Sequence, residues 1–159
     1  PVISSAASDV YKRQIYEGVK IVDLTSGLTE PMSADAVLTF RNLHNWLGST
    51  MDTIFANSFK ALKSGGIFGV VEHRAEVGTS IQNMKKSGYV TEEHAIEMAK
   101  KHGFVLVSKS EINSNPKDLK SYEKGVWTLP PSLRLKEKNK AKYLAIGESD
   151  RMTLLFKKP

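Results

Sequence analysis

Residues 34–74 read ADAVLTFRNLHNWLGSTMDTIFANSFKALKSGGIFGVVEHR, and the change of period inside this stretch decides the fold. Ala36 to Phe40 is a short apolar run that stops at the polar Arg41, Asn42, His44 and Asn45. Ile67 to Val71 is a second such run, stopping at Glu72, His73 and Arg74. Between them Met51, Ile54, Phe55, Phe59 and Leu62 recur at helical spacing. The pattern is strand, helix, strand, and a right-handed crossover makes the two strands parallel. Ser49 is the expected N-cap, with Asp52 in the first turn, and Gly65 or Gly66 is the expected left-handed stop of the helix. Ligands bind outside the carboxyl ends of the strands in an open parallel sheet. Both strands here carry their polar residues at that end.

Working outward, Val19 to Leu24 alternates and is β-branched, which predicts a strand closed by the turn-prone Thr25-Ser26-Gly27. Downstream, Ser80 to Lys86 predicts a short helix before Gly88. A better helix follows, capped by Thr91, with Glu92 and Glu93 in its first turn, Lys100 and Lys101 in its last and Gly103 as its stop. His94 and His102 sit near its ends, where exposure is expected. Phe104 to Ile112 is the next strand and Arg151 to Lys157 the last. Between them the pattern loosens into turns such as Asn115-Pro116 and Leu129-Pro130-Pro131, with one helix expected from Lys138 to Ile146, closed by Gly147. A long excursion between two strands of a compact domain is usually functional.

The chain has 159 residues, one domain in size, and 40% hydrophobic content is enough to build a core. With no cysteine, a disulfide framework, a thiolate nucleophile and a Cys-type zinc site are all excluded. No apolar run reaches the length of a membrane span. The formal charge of +6 is spread along the chain; Lys136, Lys138, Lys140 and Lys142 form its densest group, on what reads as a solvated helix. That distribution gives no reason to expect nucleic acid as a partner. The compartment is left open, with the cytoplasm as default.

The stretch from Ser4 to Gln14 resembles the in-frame translation of a sequencing adapter, whose mosaic end encodes Asp9-Val10-Tyr11-Lys12-Arg13-Gln14. Residues 1–14 are therefore set aside from fold reasoning as a non-native tail. Native sequence is expected from Ile15, starting within a gene.

The order strand, ADAVLTF, helix, LKSGGIFGVVE, helix, KKHGF, strand, excursion, strand is similar to the second half of a class I S-adenosylmethionine-dependent methyltransferase. More narrowly, FRNLHNW, GVVEHRAEVGTS, SGYVTEEH, GVWTLPPSLRL and YLAIGESDRMTL resemble a bacterial group of predicted methyltransferases of uncertain substrate. The resemblance runs from Ile15 to Pro159. It implies an α/β, Rossmann-like sheet in the order 3-2-1-4-5-7-6, of which strands 3, 4, 5, 6 and 7 are present, with strand 7 antiparallel and strands 1 and 2 absent. Val19–Leu24 would then be strand 3, and residues 113–150 would lie over the active-site face. The family's glycine-rich turn after strand 1 and the acidic residue ending strand 2 have no counterpart, so the stretch by itself is expected to be inactive. An open inner edge of strand 4 is expected to leave Val19–Leu24 either beside it or detached, and to favour self-association.

The resemblance implies S-adenosyl-L-methionine as cofactor and a small molecule as methyl acceptor. Asp23, Phe40 and Asn42 would contact the cofactor, Asn42 near its methyl-bearing end; the alternative for Asn42 is capping of the following turn. His44 is the candidate general base, because an imidazole takes up a proton near neutral pH; the alternative is a structural ring stacked on Trp46. Arg41, Asn45, Glu72, His73 and Arg74 would orient the substrate, an Arg41–Glu72 ion pair being the plainer reading. Trp46 and Trp127 would wall the site or else pack in the core. His44, His73 and Glu72 are also the ligand types of a metal triad, as a metal-dependent hydrolase would need, but they lack a motif spacing and no metal is expected. A non-catalytic binding module of the same fold is the remaining alternative.

Overall fold

The computed structural model describes residues 17–159; the set-aside tail lies outside the described residues. Four strands form one open sheet: β1 (Ala34–Phe40), β2 (Leu62–His73), β3 (Val105–Ser110) and β4 (Arg151–Lys157). Their order is β1-β2-β4-β3, with β1 and β2 parallel and β4 antiparallel to both of its neighbours. This is the arrangement implied for strands 4, 5, 7 and 6, with the antiparallel strand inserted second from one edge. Two helices lead from β1 to β2, the single turn α1 (Leu43–Trp46) and the longer α2 (Ser49–Ala61). Between β2 and β3 come α3 (Ile81–Ser87) and α4 (Glu92–Lys101), and α5 (Lys140–Ile146) precedes β4.

The period-2 rule sorts every strand into two faces. Phe68 and Val70 of β2 pair with Phe156 and Leu154 of β4, and all four are buried on one face. Leu43, Met51 and Phe55 pack onto that face from α1 and α2, as do Ala95 and Ala99 from α4. Phe68 is its centre, with the ring of Phe55 edge-on at 5.0 Å and that of Phe104 at 5.1 Å. Removing either of the two α2–β2 aromatics would cost roughly 3–5 kcal/mol through lost burial and an unfilled cavity. The opposite parity faces the other way. There Leu38 is 57% exposed, Phe40 62% and Val105 54%.

Several elements depart from expectation. Val19 to Leu24 forms no strand and pairs with none, and Ile21 is 97% exposed. A strand exists only where a neighbour supplies backbone partners, and the segment instead ends in a local turn. The Asp23 carboxylate accepts from the Thr25 amide at 2.7 Å and hydroxyl at 2.6 Å, while Asn57 of α2 donates to the carbonyl of Leu24 at 2.8 Å. Of the two outcomes expected for this segment, it is the detached one that is observed. Helix α2 begins one residue earlier than expected, with Gly48 at the N-cap and Ser49 already inside.

Gly65 and Gly66 do not stop α2, which ends at Ala61 with Leu62 already extended. They form an irregularity near the start of β2, where the register with β1 slips between Ala34 and Ala36. Gly65 has φ +80, and a Cβ at Gly66 would stand 2.9 Å from the Lys63 carbonyl oxygen. The pair lets the backbone meet the chain end: the Gly65 amide donates to the Lys158 carbonyl at 2.8 Å, and the Lys158 amide donates to the Gly66 carbonyl at 2.9 Å. His94 and His102 are half-buried rather than exposed; His102 lies 2.8 Å from Asp52 through Nε2, while Nε2 of His94 is buried without a partner.

Candidate active site

β1 and β2 end side by side, and the chain turns sharply at the end of β1. Arg41 takes φ 54 and its amide donates to the Val71 carbonyl at 2.7 Å, so the single turn of α1 starts directly above the end of β2. Leu43, fully buried, anchors α1 to the core. That anchor fixes His44 over Glu72.

Glu72 is the chemical centre of the site. Its side chain is completely buried. Oε1 accepts from the His73 amide at 2.8 Å and Oε2 from the His44 amide at 3.3 Å. His44 Nδ1 lies 3.1 Å from Oε1. An ionised carboxylate can only accept, so it fixes Nδ1–H as the donor and leaves the lone pair of His44 on Nε2. Among the described residues Nε2 has no protein partner, and His44 lines an open cleft.

The cleft has a volume of about 320 Å³. Phe40, Arg41, His44 and His73 come from the strand ends and α1; Trp127, Pro130 and Ser132 come from the excursion; Glu148, Ser149 and Arg151 come from the turn into β4. The Trp127 ring stands edge-on to His44 at 5.8 Å and carries the Arg134 guanidinium 4.6 Å from its centroid. His73 lies 5.5 Å from His44 between ring centroids, and its Nδ1 is 2.5 Å from Ser149 Oγ. Burial pushes the His73 imidazole down to about 4, outweighing the opposite pull of Glu72. It is therefore neutral at physiological pH. Glu148 lies 4.0 Å from Arg41 and is in contact with Arg151, which holds its carboxyl below the usual range.

The structure thus brings Phe40, Arg41, His44, Glu72, His73 and Trp127 to one place and leaves the other candidates elsewhere. Asn42 and Asn45 bond to each other at 2.7 Å, at the start of α1; Asn42 makes no side-chain cap. Trp46 is half-buried against the main core and does not stack on His44. The Arg41–Glu72 ion pair is not formed, because Glu72 is spent on His44 and two backbone amides. Arg74 points into a different groove, where it grips Asp150 through Nε at 3.0 Å and Glu111 through Nη2 at 2.6 Å. These bonds raise its pKa further. Asp23 is tied into its own turn, and the neighbouring Leu24 carbonyl is docked on Asn57, toward the end of α2 away from the cleft. Among the lining residues, Ser132 carried no signal in the sequence: it is a lone hydroxyl after a Pro-Pro pair.

No family model matches the sequence, and no curated protein matches it. Solved structures do match in shape. The 4+2 cyclase SpnF superposes with a TM-score of 0.63 at 19% identity, over 97% of this chain and 61% of that one. The Burkholderia thailandensis 1,6-didemethyltoxoflavin-N1-methyltransferase, solved with S-adenosylhomocysteine, gives 0.58 at 12%, over 99% of this chain and 58% of that one. The Haemonchus contortus phosphoethanolamine N-methyltransferase 2, solved with S-adenosyl-L-methionine, gives 0.56 at 18%, over 92% and 40%. The chain spans less than two thirds of the length of each. These likenesses show the fold, which is a partial class I S-adenosylmethionine-dependent methyltransferase fold. One of the three is a cyclase, so the fold by itself does not fix the reaction.

Proposed function

We propose that this chain is the acceptor-side part of an S-adenosylmethionine-dependent methyltransferase acting on a small molecule. The observation that carries the reading is the His44–Glu72 pair, set at the carboxyl ends of two parallel strands and opening onto a cleft. The buried carboxylate orients the imidazole through Nδ1, and Nε2 faces the space an acceptor occupies. His44 takes up the proton of an acceptor hydroxyl or amine bound in the cleft. Trp127 supplies an apolar wall for the acceptor, while Arg41 and the neutral His73 orient its polar edge. Asn42 and Phe40, at the end of β1, take the cofactor side.

The described residues fit the acceptor half of such a site and not the cofactor half. Among the described residues no strand lies beyond β1 in the sheet, and no glycine-rich turn follows a strand to approach a methionine moiety. No step through the cofactor is therefore derived from these residues, and we expect this stretch alone to be inactive. The test uses the intact protein that contains it. Calorimetry should show binding of S-adenosylhomocysteine, and His44→Gln should lower turnover by about 10²–10⁴-fold while leaving that binding unchanged. Unchanged turnover in the variant would remove His44 as the base; absence of binding would remove methyl transfer altogether.

A further inference from the structure

Three side chains able to ligate a metal ion meet at the floor of the cleft. His44, Glu72 and His73 each offer one ligand atom within 4.8 Å of the other two. They come from two elements, α1 and the end of β2, that the sheet brings together across 28 residues of sequence. We propose that this cluster binds a divalent transition-metal ion of the zinc class, with an open position toward the cleft.

The distances suit such an ion. Ligands about 2.0–2.2 Å from a tetrahedral centre stand roughly 3.3–3.5 Å from one another. His44 Nδ1 and Glu72 Oε1 are 3.1 Å apart, and an ion here would replace the Nδ1 proton that lies between them. The remaining separations, all within 4.8 Å, need to close by no more than about 1.5 Å. The donor set of two imidazoles and one carboxylate selects zinc, cobalt or nickel over magnesium or calcium, which take oxygen ligands.

Charge supplies an independent argument. Glu72 is fully buried, yet among the described residues no lysine or arginine pairs with it; its partners are two backbone amides and one imidazole. A buried carboxylate is normally matched by a cation, and an ion at this point would be that match. The cleft gives it a route in and room for a fourth ligand, because both histidines line it. Three protein ligands with one open position is the layout in which an ion holds an oxygen or nitrogen of a bound molecule and lowers its pKa. Loaded in this way, His44 would hold the ion rather than accept a proton.

This inference does not rest on methyl transfer, since binding is read with the metal alone. The 159-residue chain, stripped with a chelator, is titrated with Co²⁺ by visible absorption and with Zn²⁺ by calorimetry. One ion per chain and the absorption of four- or five-coordinate cobalt are expected. His44→Ala, His73→Ala and the volume-conserving Glu72→Gln, each checked for its fold by circular dichroism, should weaken binding at least about tenfold. His102→Ala, which alters a histidine paired with Asp52 and outside the cluster, should leave it unchanged. No bound ion, or equal binding by the His44 and His73 variants, would overturn the proposal.

Discussion

At the scale of single residues, two buried carboxylates organise the polar end of the sheet in different ways. Glu72 is held by amides and an imidazole, whereas Asp150 is held by full positive charges. Asp150 is 5% exposed, accepts from Arg74 Nε and Nη2 and from the Asn115 amide, and lies 3.1 Å from Lys120 Nζ. Burial pushes its pKa up, but Arg74, Asn115 and Lys120 together win, so its carboxyl titrates below its ordinary value of 3.8. A carboxyl whose pKa is depressed in the folded state stabilises the fold above its unfolded pKa, and that stabilisation is lost as pH falls through the folded value. Asp150→Asn should therefore cost about 3–5 kcal/mol near neutral pH, by leaving Arg74 and Lys120 facing an uncharged amide in a buried network. The cost should begin to shrink as pH falls below the ordinary carboxyl value of 3.8 and vanish only once the folded carboxyl itself is protonated, at a lower pH. Urea melts at both pH values read this directly; a loss that does not change with pH would show that packing, not charge, holds the turn.

At the scale of elements, the best-specified helix is α4. Thr91 accepts from the His94 amide at 3.2 Å, Glu92 and Glu93 complement the positive end of the helix dipole, and Lys100 and Lys101 complement the other end. Thr91→Ala should destabilise by about 1 kcal/mol, a fall in Tm of roughly 2–4 °C, and Thr91→Ser should recover most of it. An unchanged Tm for the alanine variant would mean that packing of Ala95 and Ala99 alone sets this helix. Elements of this kind are legible in a sequence because their signals lie within one or two turns. Val19 to Leu24 shows the opposite case: its alternation is that of a strand, but no partner strand lies beside it. Gly65-Gly66 is a third case, since a glycine pair after a helix reads equally as a stop or as a bulge until the register of β1 against β2 is known.

At the scale of the whole molecule, the sheet is covered on one face only. Among the described residues no helix lies over the face that carries Leu38, Phe40, Ile67, Gly69, Val71 and Leu155, and the outer edge of β1 is unpaired. Parallel strands are normally buried on both faces. Four strands ~4.8 Å apart and about six residues long give a face of roughly 400 Å² in plan, the size of the largest apolar patch on a typical monomer. Its centre is free of charge, whereas the chain as a whole carries +6. A second copy can therefore meet it there with the least repulsion. We expect the chain to self-associate through this face and edge, and sedimentation to show a mass that rises with concentration. Phe40→Lys should shift the protein toward monomer. A monomer at every concentration would mean that the face is stable in water as it stands.

The sequence by itself determined the strand–helix–strand unit from β1 to β2, the caps of α4, the bounds of β4 and the polar character of the strand ends. The strands and the polar character of their ends follow from periodicity, and the caps of α4 from backbone groups satisfied within a few residues. Only the tertiary structure decided which polar groups meet. Glu72 lies in β2 and Arg74 just past its end, two residues on, yet one is buried beneath His44 while the other reaches Asp150 and Glu111 in a separate groove. Sequence spacing could rank His44 as a base, but the carboxylate that orients it comes from another strand. That pairing depends on the register of β1 against β2 and on the burial of Leu43, and both are set by contacts between distant parts of the chain.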